Sequence, residues 1–425
     1  MDYYQGGDYR PPVKEKKKLG FGLGILVGIL ISFCLLGVGV RLYTTFTQSY
    51  LVIRPWSVHS TASSAVINRA ASDKIDELLT YVDLYYNDEY DVNDIRNEIY
   101  KGTLSGLGDP YSVYYTADEY KDMQITTRGK YYGIGAGMTQ DAKTMAVTIT
   151  KVYSGTPAEE AGLKNGDQLI SVGDTKANSM ELSLLVKQIR GEEGTQVHLK
   201  IYRASTKETL EFDVERRNIS LPSVESEMLD GGIGYIQITE FQDDTANQFK
   251  KALKELQQDG MKGLVVDLRD NPGGLITSVT DILDMILPEG TLVYTEDKYG
   301  KRETYSSDAK CLKGCPLTVL INENSASASE IFAGAIKDYG YGTLIGEKTF
   351  GKGIVQTLFP LEDGSAVKIT TSKYYTPKGN FIHGVGIEPD IELEYEYSGP
   401  DDETYEKQYD NQLKKAVEEL KNETE

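Results

Sequence analysis

The chain is poor in the residues from which metal and redox sites are made. Its 425 residues include three cysteines and three histidines, with no C-x-x-C pair and no His-rich cluster, so no metal site is predicted. Cys34 lies in an apolar run, leaving Cys311 and Cys315 as the one pair; a short disulfide and two free thiols are both open. Positive charge is also scarce. Lys and Arg number 45 against 65 Asp and Glu, a formal net charge of −20, which excludes nucleic acid and anionic membrane surfaces as general partners of the folded part. There is no internal repeat or low-complexity tract, and a single uncharged run is long enough to cross a bilayer.

That run, Leu19–Val40, at about 1.5 Å per residue spans roughly 33 Å as a helix. It exceeds a usual signal-peptide core and no small-residue cleavage site follows it, so residues 19–40 are predicted to be an uncleaved transmembrane helix. Lys14, Lys16, Lys17 and Lys18 on one side, against Arg41 and Arg54 on the other, put residues 1–18 in the cytoplasm and the bulk of the chain outside. Localisation at the cell membrane, single-pass, with the folded domains extracytoplasmic, is the expectation. Residues 41–66 read as a stalk. From Ile67 to Leu104 the apolar residues fall in two helical stripes, Ala71, Ile75, Leu78 and Val82, then Ile95, Ile99 and Leu104.

The stretch Asn322–Gln356 carries the chemistry. Leu317–Ile321 is an apolar, β-branched run suited to a strand buried on both faces. A helical pattern begins at Ser327, with Ile331, Phe332, Ala335 and Ile336 on one face and Gly340 as a stop signal. Ser327 thus sits where a strand hands over to a helix, beside unsatisfied N–H groups that favour developing negative charge. The bland alternative is a capping box, since Ser327 and Glu330 fit S-x-x-E. A serine nucleophile needs an adjacent base, and a lysine serves only when neutral, so burial must lower its pKa. Lys352 lies downstream in G-E-K-T-F-G-K-G, with Phe350, Ile354, Val355 and the helix face available to bury it; Lys348 is the nearest rival. A lone lysine would otherwise be a solvated surface charge.

The spacing of S-A-S-A-S-E-I and G-K-G-I-V-Q resembles that of the carboxyl-terminal processing, or tail-specific, serine peptidases. The resemblance implies Ser327 as nucleophile, Lys352 as general base and Gln356 as the residue that orients the lysine. It assigns the loop Arg269–Gly274 (R-D-N-P-G-G), otherwise a tight turn, to the oxyanion hole: the N–H of Gly273 or Gly274 beside that of Ala328. It implies no cofactor, and it implies that the N-terminal helices help form a homodimer.

Residues 126–215 resemble a PDZ domain. Gly133, Ile134, Gly135 and Ala136 match the loop whose N–H groups capture a peptide carboxylate, and P-A-E-E-A-G-L-K-N-G-D-Q-L-I matches the run common to bacterial PDZ modules. The following helix places Leu182, Leu185, Val186 and Ile189 at the spacing of a groove wall. From residue 216 strands and helices alternate: Ile233–Ile238, a helix over Ala246–Leu256, then Gly263–Leu268.

The expected fold class is therefore α/β: a mixed-sheet peptidase core over 216–392, N-terminal helices over 67–125, an inserted PDZ domain, a transmembrane helix and an acidic C-terminal helix over 393–425 whose stripe is Tyr405, Tyr409, Leu413, Ala416 and Leu420. The expected function is endoproteolysis of proteins or peptides with free C-termini, with PDZ-controlled access. A non-catalytic PDZ adaptor is the alternative. A PDZ protease of trypsin type needs a catalytic histidine; of His59, His198 and His383, only His383 lies where it could approach the serine.

Overall fold

A computed structural model describes residues 65–220, 222–308, 312, 314–399 and 405–424. The predicted span 19–40, His59 and Cys311 lie outside the described residues, and no described helix is long and apolar enough to cross a membrane. Two compact bodies divide between Tyr90 and Asp91. The first contains the helix Arg69–Tyr85, capped by the Asn68 side chain accepting the Ala71 N–H at 3.0 Å.

In the second body, six antiparallel strands, Ala136–Gln140, Val147–Val152, Gln168–Val172, Thr175–Lys176, Gln196–Arg203 and Glu208–Glu215, form the sheet of the region that resembles a PDZ domain. Its core is closed by Leu185 and Ile189 of the helix Leu182–Ile189; Leu182 and Val186 stay half-buried, so the apolar stripe is shared between core and groove side.

The largest core is built on a six-stranded sheet in the order Val224–Leu229, Ile233–Ile238, Gly263–Asp267, Leu317–Ile321, Thr343–Gly346, Ile391–Glu392, parallel except for the first strand. Strict period-2 alternation gives each strand two apolar faces. Ile236, Ile238, Leu264, Val266, Leu317, Val319 and Ile321 join the main core, under the helices Thr245–Gln258, Ile276–Ile286 and Ala328–Tyr339. Ile233, Tyr235, Val265, Leu320 and Ile345 point the other way and are covered by Leu413, Ala416 and Leu420 of the helix Asn411–Thr424. That helix begins later than its sequence stripe, so Tyr405 and Tyr409 precede it. Tyr405 instead donates to Asp410 at 2.6 Å. Asp410 and Asp267, both buried, hold Arg269 between them at 2.8 and 2.6 Å.

A second, five-stranded sheet carries Ala366–Tyr375 at its centre, paired antiparallel with Ile354–Pro360 and Gly290–Asp297. Val113–Tyr115, just beyond the turn at residues 106–112, pairs with Ala366–Lys368. Sequence patterning placed this segment with helices; in the fold it is an edge of the sheet that bears Gln356.

Candidate active site

Ser327 caps the helix Ala328–Tyr339 from a backbone conformation, φ 54° and ψ −110°, that non-glycine residues rarely adopt. Such a turn costs on the order of 1–3 kcal/mol and persists only where neighbours over-determine it. The neighbours come from the loop after Asp267. Asn271, fully buried, donates from Nδ2 to the Ile238 carbonyl at 2.8 Å, and its own carbonyl accepts from the Ala326 N–H at 3.0 Å and from Ser329 Oγ at 2.9 Å. Ser325 Oγ donates to the Leu268 carbonyl at 2.8 Å. Asp270 accepts from the carboxamides of Asn322 at 2.9 Å and Asn324 at 2.8 Å. The outer serines of S-A-S-A-S are thus committed to stitching the two loops together. Ser327 and Glu330 are arranged as a capping box, yet the Ser327 hydroxyl makes no side-chain cap bond; the Glu330 N–H goes to the Ser327 carbonyl at 2.9 Å. Among the described residues the middle hydroxyl, alone of the three, makes no hydrogen bond to the neighbouring loop and has only its place in the capping box.

The backbone of Lys352 is tied to that of Ser327 by two shared side chains. The Glu330 carboxylate, fully buried, accepts from the Ser327 N–H at 2.9 Å and from the Lys352 N–H at 2.7 Å through Oε2, while Oε1 takes the Gly351 N–H and the Thr349 hydroxyl, each at 2.7 Å. The Tyr374 hydroxyl, 1% exposed, reaches the carbonyls of Ser327 at 3.0 Å and Lys352 at 2.5 Å. S-x-x-E therefore does more than start a helix: it anchors the Lys352 loop to the Ser327 turn.

Burial, and then the nearby Lys368 ammonium, push the Lys352 amine below its ordinary value of 10.5, with Asp109 and Glu330 pulling the other way. The predicted apolar wall is partly different from the observed one. Phe350 is 58% exposed; the Tyr111 ring instead lies with its centroid 4.5 Å from Lys352 Nζ. Lys348 is on the surface, paired with Glu388 at 2.7 Å. Gln356 is on the adjoining strand, but its carboxamide donates to Thr370 Oγ1 at 3.2 Å, and among the described residues it makes no hydrogen bond to Lys352.

The two candidate glycines differ. Both have positive φ, 105° for Gly273 and 140° for Gly274, and a side chain on Gly273 would strike the Ser327 turn. The Gly273 N–H is taken by Asn271 Oδ1 at 2.8 Å. Among the described residues the N–H groups of Gly274 and Ala328 have no partner. His383 lies beside Asp109 and makes no hydrogen bond with Ser327, and His198 is on the PDZ sheet, bonded to Asp213 at 2.8 Å. Cys315 is free and half-buried, its thiol pushed up to about 11 by burial.

In the PDZ loop, the carbonyls of Ile134 and Gly135 accept from the N–H groups of Ala158 at 2.8 Å and Tyr153 at 3.1 Å, fixing the turn, and Gly135 has φ 80°. Gly133 ends one strand and Ala136 opens the next. The Ile134 and Gly135 N–H groups have no partner among the described residues, the arrangement a carboxylate-binding loop requires.

Residues 232–393 match the profile of peptidase family S41, and residues 122–202 that of the PDZ domain. The carboxyl-terminal-processing protease of Synechocystis sp. is 37% identical over 295 residues, covering 68% of this chain and 69% of its own length. The carboxy-terminal processing protease CtpB of Bacillus subtilis is 37% identical over 353 residues, covering 81% of this chain and 73% of its own. A PDZ-bearing protease acts on proteins or peptides. The chain belongs to peptidase family S41 and is a serine-type carboxyl-terminal processing peptidase.

Proposed function

We propose that the chain is a membrane-anchored, extracytoplasmic endopeptidase that cleaves proteins near their C-terminal tails through a Ser327–Lys352 dyad, with the PDZ loop controlling access. The observation that carries the dyad is Ser327, whose hydroxyl, unlike those of Ser325 and Ser329, is not bonded to the neighbouring loop, tied through Glu330 and Tyr374 to a lysine whose ammonium is disfavoured by burial. Neutral Lys352 takes the proton as Ser327 Oγ attacks the scissile carbonyl carbon. The oxyanion is held by the Gly274 and Ala328 N–H groups at a helix start, where the field is favourable before the charge develops. The lysine then returns the proton to the leaving amine, and water releases the acyl group by the same route in reverse roles. Gln356 keeps the lysine in place.

The test uses the purified full chain and β-casein, an unfolded protein. Cleavage is lost in Ser327→Ala and in Lys352→Ala. Lys352→Arg is equally inactive, because guanidinium is not deprotonated in this range. Cleavage by a folded Lys352→Arg enzyme at near the normal rate would refute the dyad, and tail binding without cleavage by the unmutated chain would make it an adaptor. For the topology, an alkaline phosphatase reporter, which needs an oxidising compartment, is active when fused after residue 60; activity of a cytoplasm-dependent reporter at that position reverses the orientation.

A further inference from the structure

The Arg269–Gly274 loop, which offers a proposed oxyanion donor, is held on three sides, and the third side comes from the far end of the chain. Phe241 holds it first: its N–H donates to the Gly273 carbonyl at 2.8 Å and its carbonyl accepts the Leu275 N–H at 2.7 Å, a parallel bridge that turns the Gly274 N–H away from Phe241. The nucleophile turn holds it second, through Asp270 and Asn271. A Cβ on Gly273 would lie 2.8 Å from both Ser327 Cβ and the Ala328 nitrogen, so there is no slack between loop and turn. The third hold is on Arg269. Its Nη1 donates to Gln412 Oε1 at 3.0 Å and lies 2.8 Å from an Asp410 oxygen, while Nε and Nη2 reach Asp267 at 2.9 and 2.6 Å.

Asp267 is two positions back in the chain, so its bonds to Arg269 shape the turn locally. Asp410 and Gln412, both fully buried, tie Arg269 to a separate element. Asp410 divides its carboxylate: Oδ1 accepts the Leu413 N–H at 2.9 Å in the first turn of the helix Asn411–Thr424, and Oδ2 serves Arg269. Gln412 Nε2 donates to the Leu393 carbonyl at 2.7 Å, and the Leu393 N–H donates to the Gly346 carbonyl at 2.9 Å, so the segment is fixed in turn to the central sheet. The residue after Arg269 shows what this hold opposes. Asp270 has φ 58°, and it and Ser327, on facing loops, are two of the four non-glycine residues with positive φ among the described residues. Such a conformation persists only where its surroundings over-determine it. Asn322 and Asn324 hold the Asp270 side chain, and Arg269 holds the backbone that leads into it. We infer that Asp410 and Gln412, acting through Arg269, keep the Arg269–Gly274 loop in the conformation that presents the Gly274 N–H to the oxyanion, so that the hole is complete only while the C-terminal segment is docked. The inference rests on the oxyanion-hole reading above. Asp410, Gln412 and Arg269 are positioning residues, since they act through the loop and not on the reacting atoms.

The test uses the full chain and measures kcat and KM on an internally quenched peptide, together with the affinities of a peptide aldehyde and of the matching peptide alcohol; thermal melting checks folding. Ser327 Oγ bonds to the aldehyde carbon, the C=O electron pair moves onto oxygen and the serine proton passes to Lys352, so aldehyde affinity reads the oxyanion hole and alcohol affinity reads the remaining contacts. Asp410→Asn keeps an acceptor for the helix start and removes the charge. Its kcat falls roughly ten- to hundredfold with KM little changed, short of the hundred- to thousandfold typical of deleting an oxyanion donor. Aldehyde affinity falls by a similar factor, and alcohol affinity stays. Arg269→Lys keeps the charge but cannot reach all three partners, so it behaves alike, and the double variant is no worse than Arg269→Lys alone because the two act as one unit. Leu420→Ala, on the buried face of the same helix, lowers the melting temperature by opening a cavity and leaves kcat unchanged. Should Asp410→Asn fail to fold, Arg269→Lys carries the test. Normal kcat in either folded variant, equal losses of aldehyde and alcohol affinity, or a kcat loss in Leu420→Ala as large as that in Asp410→Asn overturns the inference. If the unmutated chain binds aldehyde no more tightly than alcohol, the oxyanion-hole reading itself fails; if it binds aldehyde tightly and Asp410→Asn does so equally, only the positioning fails.

Discussion

Replacing Glu330 by Gln is a one-atom change at the junction of the proposed nucleophile and the proposed base, and its cost can be worked from the bonds. The carboxylate serves four donors: the N–H groups of Ser327, Lys352 and Gly351 and the Thr349 hydroxyl. A carboxamide must turn its NH2 toward one side. The less damaging side is that of Thr349 and Gly351, because the Thr349 hydroxyl can rotate and accept, whereas Ser327 and Lys352 offer only N–H. Even so, the Gly351 N–H is left buried without a partner, at about 1–3 kcal/mol, and the bonds to Ser327 and Lys352 fall from charge-assisted to neutral strength, roughly 1 kcal/mol each. The total, about 3–5 kcal/mol, is a large part of the 5–15 kcal/mol typical of a domain but does not exceed it. The variant is therefore expected to fold with a clearly lowered Tm. The stored strain at Ser327 and the placement of the Lys352 loop share this anchor, so kcat should fall by on the order of a hundredfold while KM changes little. Melting curves with steady-state kinetics on a quenched peptide read both effects. A folded Glu330→Gln enzyme with wild-type kcat would show that the carboxylate is only a helix cap.

The three serines of S-A-S-A-S should separate cleanly. Ser325→Ala and Ser329→Ala each lose a buried bond to the neighbouring loop, about 1 kcal/mol in chemical denaturation, and retain measurable cleavage, whereas Ser327→Ala keeps its stability and loses cleavage; activity in Ser327→Ala would exclude it as the nucleophile. Because only neutral Lys352 accepts a proton, kcat/KM should rise with pH through a pKa below 10.5. Lys368→Met removes a cation that lowers that pKa, so the rise moves to higher pH; an unmoved profile means that another group titrates. Amidating the C-terminus of a good peptide substrate should weaken its cleavage, since the Ile134 and Gly135 N–H groups then face no carboxylate, and equal turnover of acid and amide would remove the PDZ loop from substrate capture.

Much of the core was legible because period and punctuation agreed. Ile233–Ile238 and Leu317–Ile321 are strands over the same residues, and Gly340 ends the Ser327 helix in a left-handed cap, φ 61°. Boundaries slipped where the chain leaves regular structure: Gly263–Leu268 ends as a strand at Asp267, whose carboxylate turns to Arg269. The helical stripe reached back to Tyr405 because tyrosines recur there at helical spacing, yet Tyr405 is held by Asp410 in the approach to the helix. Within the candidate site, the likeness of the two motifs to those of the tail-specific peptidases, more than residue type and spacing, pointed to Ser327 and Lys352. They did not reach Asp109, Tyr111 or Tyr374, since turns and strands carry no periodic signal of what a side chain meets across long separations. Nor could they choose between Gly273 and Gly274: the choice turns on the Asn271 side chain, which from sequence reads only as a turn former.

The position of Asp410 has a consequence for the life of the chain. Arg269, at the mouth of the glycine loop, is bound to Asp410 and to Gln412, the latter 143 positions later in the chain. The helix that follows supplies Leu413, Ala416 and Leu420 to one whole face of the central sheet. A ribosome that has made everything through Gln356 has therefore produced every group of the proposed chemistry, but not the surface that covers that sheet or the second of the two counter-ions of Arg269. Messages cut short near their end would yield chains with a bare apolar sheet face, substrates for quality control and not active proteases at large.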